Sequence, residues 1–226
     1  MPEEPSTKRH HGETSDKSSN LDDVRVPGEK REHTKILTGV ELHGKEMLEI
    51  VCTSEPDKAD EMMSRLEMKG GSLYPSFIGV DAEFTKKDEP PQMAAVLQLC
   101  MEELCLVYHI VATTKWPKRL KNFPQEEKLY TFAGFCIEGD KRMLNKSDVA
   151  ASVIHQFYKG MKKKIDREED HNLWGISPLP DQLIEYTGID VYATYKSWKI
   201  IDNIVTGWEI PKQQEADPYY HSHYAG

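Results

Sequence analysis

Residues 94–112, AAVLQLCMEELCLVYHIVA, form the longest apolar run of the chain, and Glu102 and Glu103 break it in the middle. Two adjacent carboxylates exclude a membrane-spanning helix over this window, because hydrocarbon would have to accept both charges. At a turn, the same two acids leave a pair of short apolar arms, which is the pattern of a buried hairpin. The run FIGVDAEF (77–84) has the same β-branched and aromatic character, so three antiparallel strands are expected here.

The flanking segments supply the rest of an α/β architecture. EMLEIVC (46–52) predicts an opening strand, and EPDKADEMMSRLEMKGG predicts a helix with Met62, Met63, Leu66 and Met68 on its apolar face and Gly70-Gly71 as its stop. A helical or irregular stretch containing Trp116 and Pro124 leads to a strand over 130–137, expected to run parallel to 77–84. In SDVAASVIHQFYKGMKKK, Val149, Val153, Ile154, Phe157 and Met161 fall at helical spacing, with Ser147 as the cap. His155 on this helix reads as structural or exposed. Pro178 and Pro180 precede a long helix over 181–205, with Leu183, Ile184, Ile189, Trp198, Ile201 and Ile204 on its apolar face and Gly207 as its stop. Tyr192 and Trp198 read as core packing, and Gly188 as a cost of up to about 1 kcal/mol relative to Ala.

Acidic residues recur where these elements would meet. Asp81 and Glu83 lie at i and i+2 of a strand and so share one face of the sheet. Asp140 follows the strand YTFAGFCI, near the strand ends where open α/β sheets bind ligands. Tyr186 and Asp190 lie at i and i+4 of the long helix, on one face. Four carboxylates brought together repel one another unless cations neutralise them. Oxygen-only donors favour Mg²⁺ or Mn²⁺, and two such ions about 4 Å apart stabilise the attacking and leaving oxygens of an in-line phosphoryl displacement. The chemistry indicated is that of a nuclease.

The order D-x-E, then D, then Y-x3-D resembles the DEDD superfamily of 3′-to-5′ exonucleases in its tyrosine-bearing branch, and most of all Werner-type exonuclease domains, particularly plant members. Over about residues 34–205, VLQLCMEELCLVYHI is similar to the family's second and third strands, FCIEGDKRML to its second motif, and LWGISPLPDQLIEYTGIDVYATYKSW to its third. The resemblance implies a ribonuclease H-like mixed sheet, three antiparallel strands plus a parallel strand, flanked by helices. It implies Asp81, Glu83, Asp140 and Asp190 as ligands of two Mg²⁺ or Mn²⁺ ions and Tyr186 as the residue that orients the attacking water. Glu185 stands where the alternative His-x4-Asp form would have its histidine. In the family, a further strand lies between the second motif and the helix that SDVAASVIHQFY resembles. Here KRMLNK alone fills that interval, as after an internal deletion, so the last edge strand is expected to be missing and YTFAGFCI to be left uncovered.

The chain of 226 residues suits one domain, 34–205, between a disordered polar tail (1–33) and a polar C-terminal tail (206–226). His221 and His223 in the latter are weak metal ligands by themselves. Cys52, Cys100, Cys105 and Cys136 lack zinc spacing and read as buried thiols of a reducing compartment, nucleus or cytosol. A formal net charge of -9 is awkward for a nucleic-acid binder. KWPKRLKNF (115–123) and KGMKKKIDR (159–167) either track a phosphate backbone or are solvated faces. The expected partner is a DNA or RNA 3′ end, with no membrane association. The rival expectation is a module that keeps the fold, has lost turnover, and binds nucleic acid, a protein partner or itself at the uncovered sheet edge.

Overall fold

A computed structural model describes residues 32–70, 76–85, 93–123, 130–134, 146–159 and 170–207. Its elements run β1 (Thr34–Glu41), β2 (Met47–Thr53), α1 (Pro56–Gly70), β3 (Ser76–Phe84), β4 (Ala94–Met101), β5 (Leu104–His109), α2 (Lys118–Asn122), β6 (Tyr130–Ala133), α3 (Lys146–Val153) and α4 (Asp181–Thr206). The strands make one six-stranded sheet in the order β1-β2-β5-β4-β3-β6. β3, β4 and β5 are the expected antiparallel trio. β2 runs parallel to β5, β6 runs parallel to β3, and β1 closes the other side antiparallel to β2. Glu102 and Glu103 form the β4–β5 turn, where Glu102 takes φ +50° and pairs with Lys199 of α4.

The two faces of the sheet are covered differently. On one, α1 buries Ala59, Met62, Met63 and Leu66 at i, i+3, i+4 and i+7, and Arg65 holds Glu49 of β2 through two hydrogen bonds of 2.9 Å. On the other lies α4, nearly flush with the strands. A Cβ at Gly188 would fall 2.3 Å from Ile50 Cδ1, and one at Gly79 would fall 2.8 Å from the Val191 carbonyl oxygen. Two glycines on opposite partners thus let a helix approach β2 and β3 closer than side chains permit. Gly188 is therefore required by packing, which the propensity cost assigned to it leaves out. α4 ends at Gly207, whose φ of +72° and N–H bonds to the Asn203 and Ile204 carbonyls make a left-handed stop.

Several expectations are corrected. β1 was not foreseen: it is an edge strand with few buried side chains, and a register shift between Leu37 and Val40 spans Gly39. Met68 is 75% exposed, because it stands two positions past Leu66 and so points away from the sheet. Trp198 is 37% exposed and Ile204 50%; α4 runs past the sheet, and no residue from 198 to 206 is buried. Tyr192 is buried as expected, and its hydroxyl also donates to Glu46. The helix at 146 begins one residue before Ser147, which is buried inside it rather than capping it. It stops at Val153, and His155 accepts a hydrogen bond from the Phe157 N–H to start a short 3-10 turn, Gln156–Tyr158. The buried face of α3 is Lys146, Ser147, Ala150 and Ala151, whereas Val149 and Val153 are half-buried. β6 is the sheet edge among the described residues, with Phe132 partly exposed. The tails 1–31 and 208–226 with His221 and His223, and also Pro124, Cys136, Asp140, Met161 and the basic run from 160 to 167, lie outside the described residues.

Candidate active site

β3 alternates about its pleat, so Gly79, Asp81 and Glu83 share the face that α4 covers. The close approach at Gly79 brings Asp190, the residue before Val191, over this face. Asp81 and Asp190 meet there through a third side chain. Lys146, the first residue of α3, directs its ammonium between them, 2.7 Å from Asp190 Oδ2 and in an ion pair with Asp81 Oδ2. The other Asp81 oxygen, Oδ1, accepts the Ala82 N–H at 2.9 Å.

Lys146, 7% exposed, and Asp190, 4%, are withdrawn from water, and Asp81 is half-buried. Burial pushes the Asp190 carboxyl up to about 6; the Lys146 charge opposes that shift and the Asp81 charge adds to it. Burial disfavours the Lys146 ammonium, but Asp190 and Asp81 outweigh it and raise its pKa. The ammonium therefore stays charged, and it offsets the charge of the buried Asp190 beside the half-buried Asp81.

Of the residues singled out in the sequence, Asp81 and Asp190 converge on one cation. Glu83 is half-buried on the same sheet face, and Tyr186 is half-buried one turn before Asp190, packed against the core. Asp140 lies outside the described residues. Among the described residues, no three His, Cys, Asp or Glu side chains gather as a metal cluster. The donor chemistry of Asp81 and Asp190, carboxylate oxygens alone, suits a hard divalent ion. Asp81 and Asp190 would hold such an ion, and Lys146 already engages one oxygen of each.

Two residues here were missed in the sequence. Lys146 carries a physical signal: a cation in the first turn of a helix opposes the macrodipole, so it needs an anionic partner from elsewhere. Gln98 of β4 faces Asp81 across the β3–β4 ladder and is wholly buried, and neither atom of its amide has a hydrogen-bond partner among the described residues. Its signal is a single amide inside the apolar run AAVLQLC.

The remaining expectations fall elsewhere. Cys52, Cys100 and Cys105 are buried free thiols, and burial pushes Cys52 up to about 12. The basic run at 115–123 includes α2, which packs on α1. Arg119 pairs with Glu67 at 2.6 Å, and Asp60 accepts the Lys118 and Arg119 backbone N–H groups at 3.1 and 2.9 Å. α1 and α4 cover opposite faces, so this basic run lies across the sheet from Asp81 and Asp190.

No protein-family model matches the sequence, and no curated protein matches it. Among solved structures, the EXO domain of Aedes aegypti Nibbler is similar with a TM-score of 0.50 at 12% identity, over 70% of this chain and 89% of that one. Escherichia coli RNase D, an exoribonuclease involved in structured RNA processing, gives a TM-score of 0.45 at 16% identity, over 70% of this chain and 46% of its own. The catalytic core of Trypanosoma brucei RRP6 gives 0.40 at 7% identity, over 70% and 47%. The likeness to the Nibbler domain establishes the fold: a ribonuclease H-like α/β fold, with a mixed six-stranded sheet flanked by helices.

Proposed function

We propose that this chain is a metal-dependent 3′-to-5′ exonuclease that hydrolyses phosphodiester bonds at DNA or RNA 3′ ends, and that it is a Werner-like, plant-type member with an internal deletion after Asp140. The observation that carries this reading is the convergence of Asp81 and Asp190, from a strand and a helix far apart in sequence, on one shared cation. A buried carboxyl with a raised pKa, as at Asp190, is typical of catalytic sites. Asp81, Glu83, Asp140 and Asp190 would hold two Mg²⁺ or Mn²⁺ ions, which would supply an activated water and stabilise the leaving oxygen. Tyr186 would orient that water by hydrogen bonding. Burial of Asp190 against the sheet strengthens its charge interactions with Asp81 and Lys146. Nucleus or cytosol is the proposed compartment.

The test is degradation of 5′-labelled single strands and recessed 3′ duplexes, DNA and RNA, with Mg²⁺, Mn²⁺ or EDTA. Asp81→Asn is the control, because it keeps the shape of the side chain beside Lys146 that Ala would remove. A metal-dependent ladder from the 3′ end, absent in Asp81→Asn, is expected. No ladder from folded wild-type protein under any of these conditions sinks the reading.

One observation favours a second reading, a nucleic-acid-binding or protein-interaction module without turnover: the carboxylate pair already has its counter-charge in Lys146. The β6 edge, outermost among the described strands, would then take a protein partner or a second copy. Retarded migration of labelled strands without any shortening is the result that this reading requires.

A further inference from the structure

We infer that Lys146 is an internal competitor for the cation site, so that a divalent ion binds Asp81 and Asp190 only by expelling its ammonium. This inference rests on the reading of that carboxylate pair as a metal site, and it adds a control on its occupancy that resides in the chain itself.

The geometry points to competition rather than coexistence. The ammonium already takes Asp81 Oδ2 and Asp190 Oδ2. A divalent ion of the Mg²⁺ type lies about 2.1 Å from each carboxylate oxygen, so an ion bridging the same oxygens would occupy the space the nitrogen fills. Charge gives the same result. Two carboxylates with one ammonium leave a single negative charge, and a divalent ion added to them would stand against a buried positive neighbour. With the ammonium withdrawn, two carboxylates match one divalent ion.

Lys146 is also not where a lysine goes by default. It occupies the first turn of α3, where the dipole repels a cation, and it is buried, which disfavours an unpaired ammonium. Among the described residues, the two aspartates offset both penalties.

The experiment measures Mn²⁺ binding directly, by the loss of the free-ion electron paramagnetic resonance signal, for wild type, Lys146→Met and Lys146→Gln. Both variants should bind Mn²⁺ about 10-fold tighter or more, equivalent to ~1.4 kcal/mol, and Asp190→Asn added to Lys146→Met should remove the gain. Equal affinity in wild type and both variants overturns the inference. A second measurement uses the unaltered chain: acetic anhydride labelling of lysines, read by mass spectrometry. Labelling of Lys146 should rise with Mn²⁺ occupancy while that of Lys58 stays constant. Mn²⁺ bound with Lys146 still protected overturns the inference even where the variants fail to fold. The exonuclease reading fails separately. If Lys146→Met gains Mn²⁺ affinity yet shortens no strand, the inference stands and the nuclease falls. If wild type shortens strands as fast as Lys146→Met at equal affinity, the nuclease stands and the inference falls.

Discussion

Gly188 shows how a residue without a side chain can be the least replaceable in its helix. Gly188→Ala would gain up to about 1 kcal/mol of helix propensity, but its methyl group would fall 2.3 Å from Cδ1 of Ile50, which is wholly buried. Overpacking of this kind costs roughly 1–3 kcal/mol, so the variant should be less stable in urea, and Gly188→Ala with Ile50→Val should recover part of the loss. A stable single variant would show that α4 can lift without penalty. His109 makes a prediction about pH. Its Nε2–H donates to the Trp174 carbonyl at 3.1 Å, and burial holds the imidazole pKa down to about 4, against 6.5 unperturbed. The folded state thus binds the proton less tightly than the unfolded state. The resulting stability is complete above about pH 6.5 and is lost progressively as pH falls towards 4, by on the order of 3 kcal/mol. His109→Gln keeps a donor and loses the titration, so its stability should fall less over that window; an unchanged pH profile would assign the loss to other groups.

At the level of elements, the sequence was most legible where burial and period agree. The β3–β5 trio, the hairpin turn at Glu102, the parallel β6, and α1 and α4 were all readable, because the strands are short apolar runs bounded by polar or turn residues and the helices bury side chains at helical spacing. β1 was not readable, since an edge strand with a bulge at Gly39 has only one weakly apolar face. α3 was readable as a helix but not in extent or orientation. Small residues, Ala150 and Ala151, face the core, and His155 redirects the chain in a way that no spacing shows. Of the site, Asp81 and Asp190 were legible as a pair, whereas Lys146 was hidden because its partners lie 65 and 44 residues away. Contacts between elements are likewise invisible to local pattern: the Asp60 carboxylate of α1 caps the first N–H groups of α2. Asp60→Ala should cost about 1 kcal/mol, read as a shift of the urea midpoint, and no shift would mean that α2 is held by Leu120 and Phe123 alone.

For the whole molecule, the placement of charge decides which surfaces can meet a nucleic acid. Lys115, Lys118 and Lys121 are exposed, but their helix belongs to the α1 side of the sheet and the aspartates to the α4 side. Replacing all three by Gln should leave both strand affinity and its salt dependence unchanged; a slope shallower by about 0.7 per lost single-strand phosphate contact would place the substrate path across that side. α4 adds a mechanical consequence. One helix touches β2 at Gly188 and β3 at Gly79, with Asp190 between those two points of contact. The gap between the acids is then a derived length, fixed by how closely a rod rests on two rails. A methyl group added at either rail would tilt the rod and detune the site from a distance, while every acid stayed in its place in the sequence.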